Sequence, residues 1–287
     1  MNNTNKVLAC VDRSRYAGFV AEAAAWATKA LGAELELLHI LNPHPEEGGS
    51  DDHSGAIGFN AQEILLTELT QKGQVRMRQM REAGRIFLGE LREMAYASGA
   101  EQVDIRQRHG ELLETVTEQE KDITLLVLGR RGESAEVTQR DLGRHVEGLI
   151  RALGKPILTV TDTFKPPKNA LIAFDGGSAT RKSIEMLCLR PLLKGVAIHV
   201  VMAGDKRQDT DKHLRWAEAK LSAAGLDARV SYVPGDPESV IAHTIKDESI
   251  DLLVMGAYSH SPIRSVIFGS KTNELLRSAR VPTLLMR

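Results

Sequence analysis

The chain has 287 residues, 42% of them hydrophobic and 26% charged, with a net charge of −1, which suits a globular protein of about two domains. The near-neutral balance excludes a basic field for nucleic acid or an anionic membrane, and 4% aromatics argues against a base-stacking surface. No apolar run approaches the roughly 20 residues of a membrane span, and Met1–Lys6 enters a strand pattern without a signal-peptide core, so a cytoplasmic protein is expected.

Short apolar runs alternate with helical periodicity in both halves, the pattern of a parallel α/β sheet with helices on its faces. In the first half strands are expected at Lys6–Val11, Glu34–Ile40, Val103–Arg106, Ile123–Leu128 and Pro156–Val160. In the second they are expected at Ala170–Phe174, Val196–Val201, Ala228–Tyr232, Asp251–Met255 and Pro282–Met286. Runs that are apolar throughout, such as Leu252–Met255, suit strands covered on both faces. Cys10 lies in such a run and shares no metal or redox spacing with Cys188, so it is expected as a buried free thiol. Leu142, Val146, Leu149, Ile150 and Leu153 trace one helical stripe, repeated by Phe268, Thr272, Leu275, Leu276 and Ala279. Pro166 and Pro167 bar helix and central strand, which makes 164–169 the linker between domains at 1–163 and 170–287.

The two halves read as copies. Gly129 and Gly256 lie 127 positions apart, and Gly143 and Gly269 lie 126 apart, as do Pro156 and Pro282. That spacing suits a duplicated domain rather than a solenoid unit. Asp12 aligns with Asp175 at 163 positions and Ile40 with Val200 at 160, which puts His39 and His199 at matching places. Both histidines are expected in the core or in hydrogen bonds. Because Gly110 aligns with Gly235 at 125, about 35 extra residues follow Ile40 in the first half. Part is a polar loop, 42–55, whose His44 and His53 among acidic residues read as solvated side chains rather than a metal site. The rest lengthens a helix through Ala61–Ala97, which is expected to pack on its own domain, with a partner surface as the alternative.

Chemistry concentrates near the end of the second copy. Gly256 closes a strand, Ser259 follows, and Gly269-Ser270 is expected to open a helix. A glycine at a strand end admits a ligand to the backbone. Free amides around Gly269, Ser270 and Lys271 would present donors and a positive dipole end to an anion, with the Ser270 and Thr272 hydroxyls and the Lys271 charge beside them. Ligands in open parallel sheets sit at carboxyl strand ends where strand order reverses, which suits Asp175 and Gly256. Lys271-Thr272 does not complete a Walker A loop, because Arg264 stands where its first glycine would be. No nucleophile-elbow spacing and no carboxylate pair placed for Mg²⁺ are evident, so neither a catalytic residue nor a metal site is assigned.

At these residues the chain resembles the universal stress protein family in its tandem two-domain form. The resemblance covers nearly the whole chain apart from the insert. Gly256, Ser259, Gly269 and Ser270 fall on the family's Gly-x2-Gly-x9-Gly-Ser/Thr motif, with serine at the second glycine. Ala173, Phe174 and Asp175 match the strand end lining the adenine pocket, Val200 the apolar contact ending the second strand, and Met255 the residue before the motif. The resemblance implies two Rossmann-like domains of the adenine nucleotide alpha hydrolase type. Each would be a five-stranded parallel sheet of order 3-2-1-4-5 with helices on both faces. It also implies ATP or AMP as ligand, with Mg²⁺ accompanying ATP, and a role in stress survival.

The first copy departs from the motif. Asp12, Ile40, Gly129, Gly132 and Gly143 keep its frame, but Arg144 stands where serine is expected. A cation there either fills the phosphate position itself or contacts a phosphate, and the first site is expected to be empty or weaker. The expected protein is a nucleotide-dependent regulator rather than an enzyme, with its two domains packed as a pseudo-dimer. A homodimer and an unidentified protein partner are further expectations. The alternatives are a nucleotide-free scaffold and a slow ATPase or nucleotidyl-transfer enzyme.

Overall fold

The computed structural model describes residues 5–41, 61–131, 144–256 and 279–286. In the first half β1 (Lys6–Val11), β2 (Glu34–Leu41), β3 (Val103–His109), β4 (Ile123–Gly129) and β5 (Ile157–Val160) alternate with α1 (Ala17–Leu31), α2 (Ala61–Ala97), α3 (Leu112–Glu118) and α4 (Arg144–Ala152). In the second half β6 (Asn169–Ala173), β7 (Ala197–Ala203), β8 (Ala228–Val233), β9 (Leu252–Gly256) and β10 (Thr283–Met286) take the same roles. Its described helices are α5 (Ser178–Leu189), α6 (Thr210–Ala223) and α7 (Pro237–Asp247). All ten expected strands form.

Each half has the strand order 3-2-1-4-5, and the halves merge into one ten-stranded sheet, β3-β2-β1-β4-β5-β10-β9-β6-β7-β8. The β5–β10 junction is antiparallel, and every other pairing is parallel. Its register sets Leu158 opposite Leu284. These leucines hold the same position in the two copies, so a pseudo-two-fold axis passes between them. Pairing two apolar edge strands removes two exposed edges at once.

α1, α2, α5 and α6 cover one face in a single apolar layer that runs through both halves, from Val20 and Leu91 to Ile184 and Leu221. α3, α4 and α7 cover the other, over Leu8, Leu126, Leu253 and Leu285. Phe164 of the linker packs on Trp26 of α1 with ring centroids 5.9 Å apart. Val146, Leu149, Ile150 and Leu153 are buried, as their helical stripe requires, and so is Ala279. Leu142, Phe268, Thr272, Leu275 and Leu276 lie outside the described residues. The inserted helix α2 packs on its own domain through Leu88, Leu91 and Ala95, while Val75 is 57% and Ile86 52% exposed.

The alignment of β2 with β7 differs from the one read off the sequence. β1 pairs Cys10 with Leu38, and β6 pairs Ala173 with Val201. Cys10 and Ala173 are equivalent at the same 163-residue spacing as Asp12 and Asp175, so Leu38 corresponds to Val201 and Ile40 to Ala203. The alignment of Ile40 with Val200 is three positions out of register. An odd slip in a strand moves every side chain to the other face. His39 therefore meets Phe87 of α2 edge-on at 5.3 Å, while His199 lies on the opposite face and corresponds to Glu36.

Candidate functional site

Strand order reverses between β6 and β9, and the carboxyl ends of these strands meet there. Ala173 pairs with Met255 in register, and Gly256 follows. Ala173, Met255 and Ala203 of β7 border the same apolar layer. Asp175 stands exposed two residues past β6. One of its carboxylate oxygens accepts from the Gly177 amide at 2.8 Å, closing an Asx turn, and from the Thr180 hydroxyl in the first turn of α5 at 2.6 Å. Gly256 has a packing reason as well as a ligand reason: a Cβ there would sit 3.3 Å from Thr180 Cγ2, so the missing side chain lets α5 approach the strand end.

The residues flanking Asp175 are held from the opposite face. Gly176 has φ +75°, and a Cβ there would lie 2.7 Å from His213 Nδ1, so only glycine fits. The Arg181 guanidinium donates to the Gly176 carbonyl at 3.2 Å and to His213 Nδ1 at 2.8 Å. It also lies 4.5 Å from the Trp216 ring centre, and Trp216 stacks on Phe174 at 6.3 Å. His213 Nδ1 must therefore accept, and its Nε2–H donates to Asp209 at 2.7 Å. That hydrogen bond holds the Asp209 carboxyl below its ordinary value.

The structure brings Ala173, Asp175, Met255 and Gly256 together. It places the Phe174 and Val200 side chains in the layer on the other face, 3% and 0% exposed. Ala203, half-buried, occupies the strand-end place that the sequence alignment assigned to Val200. Ser259, Gly269, Ser270, Lys271 and Thr272 lie outside the described residues. The 163-residue spacing of Asp12 and Asp175, carried through β2, leads from Ile40 to Ala203.

In the first half Asp12 accepts from the Ser14 amide at 3.1 Å, repeating the Asp175 turn. The rim differs in size, with Cys10 where the second half has Ala173, Leu128 for Met255 and Ile40 for Ala203. Gly129 closes β4 and Arg144 opens α4. Gly132 and Gly143, like the loop 42–55, lie outside the described residues. Cys10 is buried, and desolvation, with the Glu36 charge, pushes its thiol up to about 12.

His199 makes the hydrogen bonds expected of a core histidine. Nδ1 contacts Glu248 at 2.8 Å and Nε2 contacts Ser231 Oγ at 2.8 Å. The Ser–His–Glu order resembles a nucleophile–base set, but the serine lies within edge strand β8 rather than on a turn that would lift it. The equivalent place in the first half holds Glu36, which pairs with Lys6 at 3.0 Å and Arg106 at 3.4 Å. Two different polar clusters at one position mark a bridge between neighbouring strands. Among the described residues no three His, Cys, Asp or Glu side chains converge as a metal site, and no helix is long and apolar enough to cross a membrane.

The family model described as the Universal stress protein family matches residues 3–161 and 190–287. Universal stress protein Slr1230 of Synechocystis is 31% identical over 284 residues, spanning 98% of this chain and 99% of that protein. A solved universal stress protein from Archaeoglobus fulgidus has a TM-score of 0.70 at 18% identity, covering 99% of this chain and 96% of its own. A structure from Pseudomonas aeruginosa UCBPP-PA14 gives 0.63 at 15% identity, covering 99% and 93%. At those identities the two structures speak to the fold alone.

Proposed function

The chain belongs to the universal stress protein family, and from that premise we propose that its second half binds an adenine nucleotide, AMP or ATP, and that this occupancy regulates a stress response. The observation that supports the reading is the group at the β6–β9 reversal. Asp175 stands exposed beside the small side chains of Ala173 and Ala203, with Met255 and Gly256 on the neighbouring strand. Short side chains at strand ends leave room for a planar base, and the Asp175 carboxylate accepts a hydrogen bond from an exocyclic amine. The Gly269-Ser270 amides, Lys271 and Thr272 supply phosphate donors on the sequence reading, and Mg²⁺ accompanies ATP if ATP is the ligand. Cys10, Leu128 and Ile40 fill the corresponding rim of the first half, so that half is the weaker or empty one. The protein works in the cytoplasm, as a binding protein rather than a catalyst.

Denaturing the purified protein and identifying any released nucleotide tests this, together with titration of AMP and ATP against wild type and Gly269→Val. Co-purified or titrated adenine nucleotide that Gly269→Val abolishes supports the reading. No bound nucleotide and no affinity for either would leave a scaffold. Turnover well above the Gly269→Val control would replace the regulator with an enzyme.

A further inference from the structure

Arg181 lies in the first turn of α5 and His213 in the first turn of α6, and both residues are half-buried. A guanidinium carries donors only, so the 2.8 Å contact of Arg181 Nη2 requires an unprotonated Nδ1 on His213. The ring proton then sits on Nε2 and donates to Asp209. The same planar fork donates through Nε to the Gly176 carbonyl at 3.2 Å. Gly176 follows Asp175 directly and precedes Gly177, whose amide donates to the Asp175 carboxylate. The series Asp209, His213, Arg181 and Gly176 therefore ends on the peptide that adjoins Asp175.

A carboxylate in place of His213 would hold Arg181 throughout the neutral range, but an imidazole changes charge between about pH 5 and 8. A proton on Nδ1 would set a second donor and a like charge against the guanidinium at hydrogen-bond distance. Asp209 holds the imidazolium through Nε2, so the guanidinium is the partner that leaves. Nε and Nη2 share one rigid plane, and Arg181 cannot surrender His213 and keep the Gly176 carbonyl in the same geometry. The other charged groups around the ring are engaged elsewhere. Arg207 acts on Asp209 from the segment before α6, and Lys206 pairs with Asp211 and lies over Tyr232. From the β6–α5 turn Gly176 packs on the ring, while the Asp175 carboxylate is turned to Gly177 and Thr180. In the first half the corresponding places hold Gly18 and Phe87. Gly18 stands 163 residues before Arg181, and Phe87 stands 126 before His213, the spacing between the helix-end bonds of Ala100 to Ala95 and Leu226 to Leu221.

We propose that Arg181 and His213 are positioning residues for Asp175, latching its turn while His213 Nδ1 is unprotonated and releasing it when that nitrogen takes a proton. The latch stands on contacts among the described residues, and its effect on ligand affinity rests on the nucleotide reading above. By linkage, a nucleotide that favours the latched turn drives the proton off His213.

The test uses the full-length protein as wild type, His213→Asn and Arg181→Met, between about pH 5.5 and 8, above the range where carboxylates ordinarily titrate. Ring-proton resonances follow His213, identified by their loss in His213→Asn. Exchange of the Gly177 amide, referenced to the free-peptide rate at each pH, follows the turn. In wild type Gly177 protection is expected to fall about fivefold as His213 gains its proton. In His213→Asn, whose Oδ1 accepts from Arg181 without titrating, protection should hold, and in Arg181→Met it should be low throughout. AMP affinity, taken relative to His213→Asn so that the titration of the phosphate itself cancels, should fall about fivefold over the same interval. Gly177 protection that ignores the His213 titration, or that falls equally in His213→Asn, overturns the proposal. A latch that opens on schedule while AMP affinity is the same across the interval and in Arg181→Met overturns the positioning role and leaves the nucleotide reading standing. Failure of wild type to bind AMP or ATP, with Gly177 still following His213, overturns the nucleotide reading and leaves the latch. If Arg181→Met does not fold, wild type and His213→Asn decide by the same criteria.

Discussion

Leu158 of β5 stands opposite Leu284 of β10, and these two fully buried leucines are the same residue of the duplicated domain, facing each other across the pseudo-two-fold axis. The tandem chain therefore closes its two halves as a symmetric dimer would, by pairing like edge with like edge in antiparallel sense.

Leu158→Ala and Leu284→Ala should cost nearly the same stability, about 3 kcal/mol each, because each opens a cavity in an equivalent wall of the same junction. Since the side chains share that junction, the double variant should depart from additivity by more than about 0.5 kcal/mol. Urea unfolding of the four proteins measures both. Unequal single losses differing by more than about 2 kcal/mol would count against the symmetry.

The corrected register separates two neighbours on β7. Ala203→Phe puts a ring at the half-buried strand end and should weaken AMP binding more than about tenfold with little change in unfolding midpoint. Val200→Ala empties a fully buried position on the other face and should cost about 2 kcal/mol with affinity unchanged. The reverse pattern in titration calorimetry would place the ligand against Val200 rather than Ala203.

Asp175 has a structural and a binding role that substitution can split. Asp175→Asn keeps an oxygen to accept from the Gly177 amide and the Thr180 hydroxyl, so stability should hold, whereas the lost charge should weaken nucleotide binding. Asp175→Ala should lose these two hydrogen bonds as well, about 1 kcal/mol. Thermal unfolding and AMP titration of both variants distinguish the contributions.

Burial pushes the Glu248 carboxyl up, but its hydrogen bonds from His199 and Arg229, with their charges, outweigh this and hold it below the ordinary 4.5. A depressed folded pKa stabilises above the unfolded value and is lost as pH falls through the folded one. Wild type should therefore lose stability below about pH 4.5 more steeply than Glu248→Gln in that part of the profile. Parallel denaturation profiles of the two proteins between pH 3 and about 7 would contradict it.

Cys10 and Cys188 should differ sharply towards iodoacetamide. With its thiol at about 12 and no exposure to speak of, Cys10 should stay unmodified at pH 8 in the folded protein and react only on unfolding. Cys188, half-buried, is raised less and should react slowly in the native state. Peptide mass mapping of alkylated native protein reads both.

Much of the architecture is legible in the amino-acid sequence. Strands buried on both faces are apolar throughout, so Leu252–Met255 and Ile123–Leu128 announce themselves, and the Gly129/Gly256 and Pro156/Pro282 spacings declare the duplication. The Asp175 and Gly256 strand ends were also legible, because a backbone turn and a close helix approach each demand a particular residue type at a particular place. Local composition carries that kind of demand.

Register and cross-domain contact are different in kind. Whether Val200 or Ala203 stands at the strand end depends on which residue β6 pairs with, and the hydrogen-bond ladder decides that rather than any residue of β7 alone. Arg130 reads in sequence as one of two arginines in a degenerate loop, since its partners Ala279, Val281 and Thr283 lie about 150 residues away and are mostly backbone carbonyls, which every sequence supplies equally. Duplication, strands and the Asp175 and Gly256 strand ends are written in local residue types. The register of β7, the single continuous sheet and the Arg130 contacts between the halves come from the fold, because they depend on pairing between segments far apart in the chain.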